Sequence, residues 1–363
     1  MTAEKYDMAG KVAAGHDIVV IGGSAGAFEA LKRICSELPA DFPAAVFVVI
    51  HISPNSRSVM PDLLSRVGPL PARHPEDEEA IRPGTIYVAP PDLHMLLRRG
   101  RIILRRGPHE NRTRPAIDAL FRSAAVAYRS RVIGVVLSGF LDDGSAGLTA
   151  IKACGGLCVV QQPTDAMWPE MPRNALAQDH VDHCSTVAEL PSLLRRLVLT
   201  SPGPVPAVPP HLILEAGISA QEAAVVPEPA QVGNPTRLSC PQCGGVLNEV
   251  AEQGTTRFRC QIGHAFTAET LVAAQDEELE RALESALRMH RERVVLFRRM
   301  QQQSVAQSLP HAAARWRAGA DESEHAARII ADAVNSLRRP ADRANLVDSP
   351  AGREEGSESS AKG

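Results

Sequence analysis

The stretch Asp17-Ile-Val-Val-Ile-Gly-Gly-Ser-Ala-Gly-Ala-Phe-Glu-Ala-Leu31 constrains this chain more than any other. Residues 18–21 are a short run of β-branched apolar side chains, the pattern of a strand buried on both faces. Two glycines break the run, Ser24 stands at the break, and residues 27–38 are spaced as an amphipathic helix. A serine on a glycine-flanked turn from strand to helix is lifted clear of its neighbours, beside the free N–H groups of a helix start. Gly22-Gly23-Ser24-Ala25-Gly26 fits the G-x-S-x-G elbow. So short a pattern is equally open to a phosphate-cradling turn or a plain tight turn.

Short apolar runs alternate with helical stretches up to about residue 199. Strands are expected at 18–21, 46–50, 85–89, 102–104, 132–137 and 157–160. Helices are expected at 27–38, 59–67, 115–128, 147–154 and 187–199. The run 132–137 is almost unbroken apolar sequence and should be central in a sheet covered on both sides. This alternation predicts a doubly wound, mostly parallel α/β domain of three layers over residues 17–199, behind a polar extension, 1–16.

Prolines then recur, and 200–236 reads as a semi-rigid linker, broken by an apolar island, Leu212-Ile-Leu214, suited to docking back on the α/β domain. A cysteine cluster follows over 237–267. Residues 268–339 are helical in pattern, with Leu279, Leu283, Leu287, Val294 and Phe297 on one face of a first helix. Ile329, Ile330, Ala333, Val334 and Leu337 share a face of a second. A helical hairpin, or a surface for a partner or a second copy, accounts for both stripes. The tail, 340–363, is small, polar and charged, and is expected to be disordered.

A net charge of −3 and 4% aromatic residues give no basis for a nucleic-acid surface. The start lacks the apolar run of a signal peptide, and no segment is long and apolar enough to span a membrane. Seven cysteines, with three of them clustered, point to reduced thiols, a metal site and the cytoplasm.

A hydrolytic serine needs a base and a group that orients the base. His51 ends the apolar run 46–50, and Asp142 and Asp143 lie just beyond 132–137. The C-terminal ends of parallel strands share one edge, where such folds place their sites, so Ser24, His51 and one of the two aspartates can converge. A hydrogen-bonded structural histidine and an Asp-Asp-Gly helix cap are the plainer readings of the same residues. The glycine spacing gives neither the dinucleotide-binding G-x-G-x-x-G nor a P-loop. The order Ser, His, Asp also differs from that of α/β-hydrolases.

Together, Ile21-Gly-Gly-Ser-Ala-Gly26, the His51 segment, Val88-Ala-Pro-Pro-Asp-Leu-His-Met95, Asn111-Arg-Thr-Arg-Pro-Ala-Ile-Asp118 and Leu137-Ser-Gly-Phe-Leu-Asp-Asp-Gly-Ser-Ala-Gly147 carry a resemblance. With Ala166-Met-Trp-Pro-Glu-Met-Pro-Arg173, they resemble the catalytic domain of chemotaxis protein-glutamate methylesterases, the CheB family. The resemblance spans about residues 18–199. It implies a catalytic triad of Ser24, His51 and Asp143, with Asp142 at a site usually occupied by asparagine. The implied reaction is hydrolysis of glutamate methyl esters on chemoreceptor cytoplasmic domains, releasing methanol, and the same chemistry would serve glutamine deamidation. The N–H groups near Ala25 and Phe140 are the implied oxyanion donors. For Arg114 two roles stand side by side, shaping the site or anchoring its loop by a salt bridge.

Ala25, Ala27 and Ile50 depart from the Thr, Gly and Gln usual in the family. Many relatives also carry a phosphorylatable receiver ahead of the catalytic domain. Here about sixteen residues precede the first strand, so a stand-alone enzyme is expected. A non-catalytic scaffold that binds partners through its C-terminal helices is the alternative.

Cys240-Pro-Gln-Cys243-Gly-Gly and Arg259-Cys260-Gln-Ile-Gly-His264 form C-x-x-C followed by C-x-x-x-H. Two such knuckles close a tetrahedral zinc site, with Gly244 and Gly263 permitting the turns. Cys240, Cys243, Cys260 and His264 fill four positions, so the expected ion is a single structural zinc, with none required for catalysis. Free thiols or a redox C-x-x-C are the competing readings.

Overall fold

The computed structural model describes residues 15–55, 58–178, 180–221, 233–252 and 255–337. The polar start up to residue 14, part of the linker and the tail expected to be disordered lie outside them. The described chain divides into two compact units, Met1–Ala273 and Ala274–Gly363.

The first unit opens with β1 (Ile18–Gly23), α1 (Ala27–Glu37), β2 (Ala45–Ile50), α2 (Met60–Val67), β3 (Ala72–Arg73) and β4 (Glu79–Ala80). It continues with β5 (Ile86–Val88), β6 (His94–Arg98), β7 (Arg101–Arg105), α3 (Ile117–Tyr128), β8 (Val132–Val136) and α4 (Ser145–Ala153). Then come β9 (Leu157–Gln161), α5 (Glu170–Leu176), β10 (His183–Ser185), α6 (Leu190–Leu197) and α7 (Pro210–Ser219).

Seven strands form one sheet in the order β10-β9-β8-β1-β2-β5-β3, and every pairing in it is parallel. All six residues of β1 are buried, so alternate side chains feed two separate cores. Ile18 and Val20 join Leu120, Phe121, Leu148 and Met171 of α3, α4 and α5 on one face. Val19 and Ile21 join Leu31, Ile34, Leu64 and Leu194 of α1, α2 and α6 on the other. This is a doubly wound three-layer domain, with β1 its middle strand and β8, fully buried as expected of a central strand, beside it. The residues expected to form a strand at 102–104 lie instead in a second, three-stranded sheet, β4-β7-β6, whose pairings are antiparallel. An apolar run of that length fits either kind of sheet, and β6 before it, joined by a tight turn at Gly100, decides the matter.

The apolar island of the linker falls in α7, and its Leu212 is buried in the core cluster that contains α3. Beyond it, β11 (Asn234–Ser239), β12 (Val246–Glu252), β13 (Thr255–Cys260) and β14 (Ala265–Thr267) make a four-stranded antiparallel sheet. This ribbon joins the α/β domain by backbone pairing. Asn111 N donates to Ala265 O (2.8 Å), and Ala265 N donates to His109 O (3.2 Å).

The junction is closed by a buried charge network. Arg122 of α3 donates to both oxygens of Glu110 (2.6 and 2.7 Å). Arg259 of the ribbon donates to Glu215 of α7 (2.8 Å) and reaches Glu110 (3.4 Å), while Arg257 pairs with Glu215. Burial alone would raise the Glu110 carboxyl, but the Arg122 and Arg259 charges hold it down to about 2. Glu215 is likewise pushed far below the carboxylate range by Arg257, Arg259 and Arg122 against its burial. Depressed carboxylates stabilise the fold above their ordinary pKa and lose that contribution as pH falls through the folded value.

The 39-residue helix α8 (Ala268–Ala306) begins at the end of the ribbon. In the second unit its later turns form a hairpin with α9 (Pro310–Leu337). There the Phe297 and Trp316 rings lie 5.6 Å apart, and Arg298 pairs with Glu324 at 2.9 Å. Leu279 and Ile329, expected on the apolar stripes, are exposed, whereas Val334 is buried.

Removing one partner of a buried charge network strands the others. Glu215→Ala should therefore lower the unfolding free energy by about 3–5 kcal/mol in denaturant titration, and a loss below about 1 kcal/mol would contradict the assignment.

Candidate active site

Three neighbouring strands deliver the chemistry. Gly23 of β1 is in register with Ile50 of β2, so Ser24 and His51 leave the sheet side by side. The backbone repeats the contact, since His51 N donates to Gly23 O (3.2 Å). On the other side of β1, Ser24 N donates to Ser138 O (2.9 Å), just past β8. The chain runs outward from β1 in both directions here, through β2 on one side and β8 on the other. That is where open α/β sheets form a crevice. Gly26 turns into α1 at φ +75°, a left-handed conformation that costs glycine nothing.

Asp143 is 2% exposed, and both its oxygens are saturated with donors. Oδ2 accepts from His51 Nε2 (2.8 Å) and from Ile117 N (2.8 Å). Oδ1 accepts from Asn111 Nδ2 (2.8 Å) and from Asp118 N (3.1 Å). Ile117 and Asp118 open α3, so the carboxylate sits on a helix N-terminus, which favours negative charge. Burial works against that charge, but the His51 hydrogen bond and the donors around it hold the carboxyl below its usual range. With Nε2 committed to Asp143, Nδ1 is the imidazole nitrogen left for Ser24. This reverses the ring orientation of the serine-protease triad. Among the described residues, no hydrogen bond joins Ser24 Oγ to His51.

Two further carboxylates crowd this one. Asp118 caps α4 through Gly144 N (2.9 Å) and Gly147 N (2.6 Å), and shares the Asn111 amide with Asp143. Burial and the charge of Asp143 raise its carboxyl. Asp142 accepts a hydrogen bond from Thr267 of the ribbon (2.8 Å). Burial and the charge of Glu269 push Asp142 upward, and the Thr267 bond only partly opposes them. The site therefore keeps Asp143 ionised while its neighbours favour their protonated forms. Asp143, not Asp142, faces the histidine.

The Ala25 and Phe140 N–H groups donate to no described residue, as groups reserved for a developing oxyanion would not. The Phe140 ring is 44% exposed and lies 4.4 Å from that of Trp168, itself 42% exposed. Arg114 donates to Asp92 Oδ1 (2.9 Å, from Nε) and to Gly107 O (2.6 Å). Of its two roles left open by the sequence, this geometry is that of the loop anchor. Asn111, Asp118, Thr267 and Thr270 carry no sequence signal of their own. Asn111 and Asp118 bound a family-like motif, and that position is the only hint that they surround Asp143.

In the ribbon, Cys240 and Cys243 follow β11, Cys260 ends β13 and His264 precedes β14. Their ligand atoms lie within 4.8 Å of one another. Cys243 Sγ to Cys260 Sγ is 3.6 Å, and His264 Nδ1 is 3.6 Å from Cys240 Sγ and 3.5 Å from Cys260 Sγ. Zinc bonds of about 2.3 Å to sulfur and 2.0 Å to nitrogen place tetrahedral ligands about 3.5–3.8 Å apart. The cluster fits a metal ion, and a redox disulfide is unformed in it.

A carboxyl raised on folding gives stability below its unfolded pKa and loses it as pH climbs through the folded value. Asp142→Asn removes that loss and keeps an acceptor for Thr267. The variant should gain about 1 kcal/mol or more over wild type at pH 8 and little at pH 4, read by thermal melts at both. Equal stability at pH 8 would contradict the assignment.

Residues 19–194 match the family model described as CheB methylesterase. A Leptospira interrogans relative is 36% identical over 183 residues, 50% of this chain and 95% of that protein. The protein-glutamate methylesterase/protein-glutamine glutaminase of Trichodesmium erythraeum is 36% identical over 188 residues, 50% of this chain but 53% of its own length. The crystal structure of the Thermotoga maritima CheB methylesterase catalytic domain is 31% identical, with a TM-score of 0.49, covering 51% of this chain and 100% of that one. The chain belongs to the CheB methylesterase family of enzymes.

Proposed function

We propose that the chain is a serine hydrolase that removes methyl groups from glutamate methyl esters on chemoreceptor cytoplasmic domains. The observation that supports this most is the hydrogen bond from His51 Nε2 to an ionised, fully enclosed Asp143, at a strand end beside Ser24. In the proposed reaction His51 Nδ1 takes the Ser24 proton as Oγ attacks the ester carbonyl. Asp143 stabilises the imidazolium that results. The Ala25 and Phe140 N–H groups receive the negative oxygen, an effect worth about 3–4 kcal/mol per donor in related reactions. His51 then returns its proton to the departing methoxide, and methanol leaves a glutamyl ester on Ser24. Water, activated by the same histidine, releases glutamate and restores the serine. With a glutamine side chain the leaving group is ammonia, so deamidation is open to the same machinery. The exposed, paired Phe140 and Trp168 rings, on and beside the turn after β8 that meets Ser24, are proposed to take the apolar side of a receptor helix.

The ribbon is proposed as a structural zinc site held by Cys240, Cys243, Cys260 and His264, closed by its four ligands and taking no part in the hydrolytic chemistry. The ion's contribution is to folding of the ribbon, which has few buried apolar residues of its own. Among the described residues, no helix is long and apolar enough to cross a membrane. The proposed place of action is the cytoplasm, where receptor signalling domains are met.

Two measurements test this reading. Wild-type protein should release methanol from methylated receptor membranes, and Ser24→Ala should lose at least about a thousandfold of the rate. Absence of release by the wild type would favour the non-catalytic scaffold. Elemental analysis of the purified chain should find one zinc, lost on Cys240→Ser; a folded, metal-free ribbon would remove the zinc assignment.

A further inference from the structure

The ribbon touches the α/β domain at the residues that hold Asp143, and this contact carries a consequence for catalysis. Asn111 is buried, and its amide orientation is fixed by its neighbours. Its Nδ2 faces Asp143 Oδ1 (2.8 Å) and Asp118 Oδ2 (2.7 Å), because the ionised Asp143 only accepts. Oδ1 must therefore face the other way, and there it meets the Thr270 hydroxyl at 3.2 Å.

Thr270 stands in the first turn of α8, directly after β14. Thr267 N donates to Thr270 Oγ1 (2.8 Å) and Thr270 N to Thr267 Oγ1 (3.1 Å), a reciprocal helix cap. Each hydroxyl has one proton. With the Thr267 hydroxyl directed to Asp142 Oδ1 (2.8 Å), the Thr270 hydroxyl has two acceptors, Asn111 Oδ1 (3.2 Å) and Thr267 O (3.3 Å), and Asn111 is the nearer. The ribbon also takes the Asn111 backbone, whose N–H donates to Ala265 O (2.8 Å). Asn111 needs both grips, since it sits at φ +49° and the next residue, Arg112, at +68°. Such conformations persist where the surroundings over-determine them.

We propose that the C-terminal ribbon is a working part of the esterase site, with Thr270 as a positioning residue that fixes Asp143 through Asn111. The inference rests on the hydrolase reading above. Without Thr270 the amide oxygen is a buried acceptor stripped of its side-chain donor, a cost that favours displacement of Asn111 and so loosens the donor that keeps Asp143 ionised and aligned with His51. The domain that matches the CheB family ends before the ribbon begins, so this grip belongs to the longer chain.

The test uses the full-length chain. Wild type, Thr270→Val and Thr270→Ser are compared for the rate at which a fluorophosphonate labels Ser24, for methanol release and for thermal melting. Thr270→Val should slow labelling and lower kcat by about tenfold or more, with KM within about twofold, because a misaligned base acts on the transition state. Thr270→Ser keeps the proton and should restore both to within about twofold of wild type. Should Thr270→Val fail to fold, Thr270→Ala adds no bulk and takes its place. Wild-type labelling by the folded valine or alanine variant overturns the proposal, as does a serine variant no faster than valine. Labelling needs no receptor, so failure of the receptor reading appears in methanol release alone, and failure of this inference in the labelling rates.

Discussion

Asp143 is a carboxylate taken out of solvent, and its surroundings are arranged to keep it charged. Moving such a group from water into the protein interior costs several kcal/mol unless hydrogen bonds replace the water. Here the replacements come from four places: the imidazole of His51, the Asn111 amide, and the first two N–H groups of α3. Each depends on an element of the fold. β2 carries His51, the N-terminus of α3 points at the end of β8, and the ribbon grips Asn111. Losing any of them would weaken the histidine's partner before it touched the serine.

The same logic governs the junction with the ribbon. Five charged side chains, Glu110, Arg122, Glu215, Arg257 and Arg259, are buried together, drawn from a loop, α3, α7 and β13. No pair among them stands alone, so the network acts as a single catch. It holds the ribbon and α7 against α3, the helix whose N-terminus supports Asp143. Packing at the middle of α3 and the hydrogen bonds to Asp143 at its N-terminus are thus mechanically joined within the first unit.

Much of the α/β core was legible in the sequence. The runs at 18–21, 46–50 and 132–137 are short and β-branched, and a strand buried on both faces leaves little alternative for such a run. Ser24, His51 and one of Asp142 and Asp143 were readable as candidates because each lies just beyond one of these runs, and only the family resemblance singled out Asp143. The β4-β7-β6 sheet was not readable as separate, since the direction of a strand pairing leaves no mark on a three-residue apolar run. Nor was the grip on Asn111. Thr267 and Thr270 look like an ordinary helix cap, and Glu215, Arg257 and Arg259 like solvated charges. Their partners lie more than forty residues away in the chain, and only the folded arrangement pairs them. The cysteine cluster needed no such help, because candidate ligands three and four positions apart carry their geometry in their spacing.

The most direct test of this account is to quench the wild-type chain in acid during turnover of a methylated receptor fragment and map the covalent adduct by mass spectrometry. An acyl group on the Ser24 peptide is the expected result. Turnover with the adduct on another residue, or with none in a chain that hydrolyses the ester rapidly, would contradict the assignment of Ser24, His51 and Asp143 as one catalytic unit.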